Sequence, residues 1–111
     1  MRSRVTLIRG DTDSITLTMP TGAALQSATE VNFTARAEAD DTVVWEKAVG
    51  DGVTVASDTV ASAAITEADW DEWETAGEPE LMTFDFEVRT AAGTVKTPVG
   101  GIITVEWDAS R

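Results

Sequence analysis

A chain of 111 residues, 42% of them hydrophobic, is about one domain long and furnishes a single core. It has no cysteine and no histidine, which excludes disulfides, thiolate-held zinc, a catalytic thiol, and the commonest general base and transition-metal ligand. Twenty acidic residues against eight basic ones give a formal charge of -12, so the clustered Lys and Arg that nucleic-acid phosphates require are missing.

No apolar run approaches the ~20 residues of a membrane span, and the start Met1-Arg2-Ser3-Arg4-Val5 lacks the apolar core of a secretion signal. The expectation is a soluble acidic protein made in a cytoplasm, with neither nucleic acid nor membrane as a partner. Only Lys47 and Lys96 among the basic residues are lysines, a bias that fits a GC-rich genome or a salty habitat equally well.

In chain order, the first predicted strand runs from Arg4 to Ile8, with Val5 and Leu7 on one face, and stops at the turn Arg9-Gly10-Asp11-Thr12-Asp13. Ile15, Leu17 and Met19 alternate with Ser14, Thr16 and Thr18, a second strand closed by Pro20 and Gly22. Residues 23–29 read as a linker. Val31, Phe33, Ala35 and Ala37 then alternate with Asn32, Thr34, Arg36 and Glu38. Asp40-Asp41 turns the chain into Val43-Val44-Trp45, and Gly50-Asp51-Gly52 turns it into Val53-Thr54-Val55. Thr59 to Ile65 reads as a strand whose small residues leave its buried face open.

One short helix, about 66–76, interrupts the strands. Thr66 is its N-cap, Asp69 stands three residues on as in a capping box, and Ile65 with Trp70 is placed as a hydrophobic staple. Trp70 and Trp73 share the face that docks, Asp71, Glu72 and Glu74 face water, and Gly77 and Pro79 end the helix. The strongest pattern follows: Met82, Phe84, Phe86 and Val88 alternate with Thr83, Asp85, Glu87 and Arg89. Thr90-Ala91-Ala92-Gly93-Thr94 predicts a hairpin loop, after which Val95, Ile103, Val105 and Trp107 form the last strand. Phe84, Phe86, Val88, Val105 and Trp107 are the predicted core of this hairpin. These elements predict an all-β, immunoglobulin-like antiparallel β-sandwich, one domain over 1–111, with the helix before the penultimate strand; a small closed barrel is the alternative.

The candidate sites each have a plain structural reading. Arg9-Gly10-Asp11 matches the integrin-binding tripeptide, but Gly-Asp is ordinary turn chemistry. Asp11 with Asp13, and Asp69 with Asp71, place carboxylates two apart where calcium oxygens could sit, yet neither follows the twelve-residue calcium loop, and capping or solvation accounts for them. Half of the fourteen residues from Glu67 to Glu80 are acidic, which suits weak nonspecific cation binding. Trp45, Trp70, Trp73 and Trp107 would be a stacking platform in a sugar-binding module, or core residues. Two carboxylates held across a sugar cleft would make a glycosidase, which needs a pocket that a chain this short gives no sign of. No catalytic, cofactor-binding or metal residue is predicted, and the partner-binding residues are left undefined.

The order of segments resembles small tailed-phage virion proteins, similar to the N-terminal immunoglobulin-like domain of phage baseplate upper proteins. It is carried by the opening strand running into Arg9-Gly10-Asp11-Thr12, Ile15-Thr16-Leu17-Thr18, a Gly22 linker with Leu25 before Val31-Asn32-Phe33, the helix, and Phe84-Asp85-Phe86-Glu87-Val88-Arg89. Gly93-Thr94-Val95, Thr97, Gly100-Gly101 with Ile103 and Val105, and the ending at Asp108-Ala109-Ser110-Arg111 complete it. The chain departs at the helix-to-strand junction, where it has no tyrosine and carries Glu78-Pro79-Glu80, so the tyrosine corner of such domains is not expected. The resemblance implies a noncatalytic virion component of a baseplate, fibre or capsid decoration. Its expected partners are other virion proteins or further copies of itself, with no cofactor and no small-molecule ligand. A carbohydrate or host-surface binding module is the alternative.

Overall fold

The computed structural model describes residues 2–19, 25–90 and 95–106. Its strands are β1 (Arg2–Ile8), β2 (Asp13–Thr18), β3 (Glu30–Ala37), β4 (Val43–Val49), β5 (Gly52–Val55), β6 (Val60–Ile65), β7 (Leu81–Arg89) and β8 (Val95–Glu106), with one helix, α1 (Glu67–Thr75). All eight strands join one sheet in the order β1-β8-β7-β3-β4-β5-β6-β2. The strands at its two ends, β1 and β2, are joined in sequence by Arg9 to Thr12 alone. A four-residue link cannot span an open eight-stranded sheet, so the sheet curls into a nearly closed, barrel-like sandwich.

Two pairings depart from the expected antiparallel arrangement. β1 runs parallel to β8, Arg4 opposite Ile102 and Leu7 opposite Val105. β4 and β5 form a short parallel seam of two residue pairs, Ala48 with Gly52 and Val49 with Val53. The first pairing joins residues far apart in the chain, which alternation within a strand cannot reveal. The second arises because Gly50 (φ 83°) and Gly52 (φ 98°) fold the chain back so tightly that β5 starts beside the end of β4.

Alternation places the core where the sequence predicts it. Val31, Phe33, Ala35 and Ala37 of β3 face inward, opposite Met82, Phe84, Phe86 and Val88 of β7. Phe33 lies 5.1 Å from Phe86 and 5.9 Å from Phe84 between ring centroids, so the three phenylalanines form one aromatic cluster across the β3–β7 pair. Val105 is buried as expected, whereas Trp107 and the loop residues 91–94 lie outside the described residues, as do Pro20 and Gly22. The small residues of β6 resolve into an inner face, Ala61, Ala63 and Ile65, and an outer one, Ser62 and Ala64.

The predicted linker is partly structured. Leu25–Ser27 forms a 3₁₀ turn whose Leu25 is buried, held by Leu25 N–H to the Asp58 carbonyl (3.1 Å) and Gln26 N–H to the Asp58 carboxylate (3.2 Å). A single apolar residue has no period, which is why the sequence reads as a loop there.

Candidate functional site

Among the described residues, the side chains best equipped for chemistry converge on the seat of α1. The helix begins as predicted: the Asp69 carboxylate accepts the Thr66 backbone N–H (2.7 Å) and the Thr66 hydroxyl (3.1 Å), with Ile65 and Trp70 buried on either side of the cap. It ends at Gly77 (φ 97°) in a Schellman motif, Glu78 N–H to the Trp73 carbonyl and Gly77 N–H to the Glu74 carbonyl. A residue with free access to positive φ is required there, and glycine supplies it.

Strand β4 reaches this helix from below. A register shift opposite Ala35 and Arg36 puts Val44 and Trp45 both into the buried layer, which settles the face of Trp45 that the sequence leaves open. Its indole N–H donates to the Asp69 carbonyl (2.8 Å). Two residues on, Lys47 also faces inward, and its ammonium donates to the Asp69 carboxylate (2.8 Å), both side chains about nine-tenths buried. Lys47 was not among the predicted site residues. The signal lay in the alternation, since a strand extended past Trp45 puts Lys47 on the same face.

The indoles continue the contact. Trp45 packs edge-on against Trp70 (5.5 Å) and Trp70 edge-on against Trp73 (5.4 Å). Trp70 donates to the Asp11 carbonyl and Trp73 to the Pro79 carbonyl, each at 2.8 Å. These three rings are 1%, 4% and 0% exposed, so no platform for sugar stacking forms among the described tryptophans; Trp107 lies outside the described residues.

The same docking absorbs Arg9-Gly10-Asp11. Arg9 pairs with Glu74 and lies 3.8 Å from Glu78, with its guanidinium over the Trp73 ring at 5.7 Å. Gly10 takes φ 87° in the turn closed by Asp11 N–H to the Ile8 carbonyl, so the tripeptide is a clamp on the helix, not an exposed ligand. The carboxylate pairs do not converge either. Asp69 is committed to Lys47 and Thr66 while Asp71 is exposed, and Asp13 accepts the Ser14 N–H. Among the described residues no group of three or more acidic side chains could hold a metal ion.

Two surface features bear on what the molecule can bind. The outer face of β3, β4 and β7 carries a polar cleft of about 450 Å³ lined by Asn32, Thr34, Glu46, Asp51, Asp85 and Glu87. Its cross-strand neighbours run Glu46–Thr34–Asp85, which separates the carboxylates by a threonine and leaves them as hydrogen-bond acceptors, not a ligand set. The second is a groove of about 450 Å³ between the start of β4 and the C-terminal half of α1, where Thr42, Val43 and Val44 face Asp71, Glu72, Thr75 and Ala76. Val43, Val49 and Leu81 are the large apolar residues left exposed among those described. No described helix is long and apolar enough to cross a membrane. No protein-family model matches the chain, and no curated protein matches it significantly.

Proposed function

We propose that this protein is a noncatalytic structural component of a tailed-phage virion, in a baseplate, fibre or capsid decoration, that acts by assembling with other proteins. The observation that carries the proposal is the strand order. With the two-pair seam between β4 and β5 taken as the divide, the sheet reads as β2-β6-β5 facing β1-β8-β7-β3-β4, with α1 between β6 and β7. This order supports reading the sandwich as immunoglobulin-like with an extra strand on one sheet, the domain type that the order of sequence segments resembles. Fold likeness alone does not carry function, so the rest of the support is chemical. Lys47, Asp69, Arg9 and the three indoles, side chains from which a site could be built, are all engaged in seating the helix. The acidic surface favours partners with basic patches and opposes self-aggregation before assembly.

The protein is accordingly made in the host cytoplasm and resides in the particle. Mass spectrometry of purified virions from the encoding phage tests this: stoichiometric presence supports it. Absence from intact particles, together with retention on a glycan array, transfers the case to the carbohydrate or host-surface binding alternative, which the burial of Trp45, Trp70 and Trp73 disfavours.

A further inference from the structure

We infer that the groove between β4 and α1 is a strand-addition site that takes an extended, basic segment of a partner protein, an inference that builds on the assembly reading and names its surface. The starting point is the free edge of β4. On one side it pairs with β3 along its length; on the other it has a strand partner only at Ala48 and Val49. Ala37 N–H donates to the Thr42 carbonyl (2.8 Å), so the odd-numbered residues of β3 address β4, and Phe33 and Ala35 bond Lys47 and Trp45. Glu46, between Trp45 and Lys47, therefore turns its backbone N–H and C=O away from β3. Ala48 has the same phase as Glu46, and its outward groups are those satisfied by Asp51 (3.1 and 2.8 Å). No described strand does the same for Glu46.

Helices commonly cover such edges, and α1 does so incompletely: it seats on Trp45 and Lys47 but leaves a space of about 450 Å³ beside Thr42 to Val44. An added strand needs ~4.8 Å of lateral room and backbone groups to pair with; the groove offers the room, and Glu46 farther along the same edge offers the groups. Its strand-side wall is apolar, Val43 and Val44, and Ala76 is at the far side. The helix wall carries Asp71 and Glu72, with Glu46 further along the strand and Lys47 committed to Asp69. This charge pattern selects an occupant with Lys or Arg on the side facing α1 and small apolar residues on the other. A second copy of the chain fits poorly, because it would bring its own Asp71, Glu72 and Glu46 against these.

The test uses the full chain and two synthetic eight-residue peptides of alternating Lys-Val and Glu-Val. Backbone amide exchange and chemical shifts are followed by NMR, in the wild type and in the double variant Asp71→Lys/Glu72→Lys, whose exposed substitutions leave the core untouched. The expected result is that the Lys-Val peptide slows exchange at Glu46, and that the double variant weakens this binding at least tenfold and turns preference to the Glu-Val peptide. Binding without protection of the Glu46 amide, or no binding, overturns the inference. So does concentration-dependent protection of the same amide without peptide, which would make the edge a self-pairing site. None of these outcomes touches the detection of the protein in virions, so groove and virion assignment fail separately.

Discussion

Lys47 reaches across from β4 to Asp69 in the first turn of α1, so that one carboxylate at once neutralises an inward-facing lysine and caps the helix. Deleting one partner strands the other charge with little access to water. Lys47→Met is expected to cost about 3 kcal/mol, the lower part of the range for a broken buried pair because both side chains keep some exposure. Asp69→Ala should cost more, since it also removes the bonds to Thr66. A double-mutant cycle by urea denaturation checks the coupling; additive losses would mean that the pair is a contact without energetic consequence.

Phe86→Ala removes a fully buried ring from the phenylalanine cluster and should cost about 3 to 5 kcal/mol. A denaturation midpoint and slope corresponding to less than ~1 kcal/mol would place β7 in the wrong register.

Gly52 and Gly50 separate two effects of a missing side chain. Both have positive φ, but a Cβ on Gly52 would lie 2.9 Å from Lys47 Cδ, while one on Gly50 meets nothing within 4 Å. Gly50→Ala should therefore cost only the backbone strain, about 1 to 2 kcal/mol, and Gly52→Ala more. The excess should shrink when Gly52→Ala is combined with Lys47→Ala. Thermal unfolding of Gly50→Ala, Gly52→Ala, Lys47→Ala and the Gly52→Ala/Lys47→Ala pair decides it, and equal losses at the two glycines would remove the steric argument.

Asp40 accepts hydrogen bonds from the Thr42 hydroxyl and backbone N–H, which hold its carboxyl below the ordinary value of 3.8. A depressed folded-state value means the contribution is fully present above 3.8 and is lost as pH falls through the lower folded value. Wild type should exceed Asp40→Asn in stability at neutral pH, with the gap closing in acid. A gap independent of pH in paired acid titrations would assign the effect to the turn geometry.

With a charge of -12, repulsion opposes the compact state, and added salt should raise the unfolding midpoint as the Debye length falls from ~30 Å at 0.01 M to ~3 Å at 1 M. Calorimetric scans across sodium chloride concentrations read this directly; a flat or falling midpoint counts against it.

The parts of the fold legible in the sequence are those governed by local periods. Val31 to Ala37 and Met82 to Val88 declare their faces because every second residue is apolar, and Thr66, Asp69 and Gly77 mark the helix ends through short-range hydrogen bonding and φ. The parallel β1–β8 pair is invisible locally, since no residue of β1 encodes where β8 will lie. Trp45 is ambiguous for a definite reason: the bulge buries Val44 and Trp45 in succession and breaks the alternation that would have assigned both. Lys47 escaped because a charged residue reads as solvated, when its stem lies against Gly52 and its charge is met by Asp69. The groove beside α1 depends on how far a helix sits from a strand edge, a distance no residue pattern carries.

The place of β1 in the sheet also sets a timetable. Its ladder partner is β8, which lies some hundred residues away at the other end of the described chain, and its sequence neighbour β2 pairs instead with β6. Of the eight strands β1 is made first and waits longest, and β2 waits for β6, so neither can be locked until its distant partner has been made. Closing such distant partners slows the search for the native state. During that interval the acidic character of the chain has a second use, keeping nascent copies apart while their strands are still unmatched.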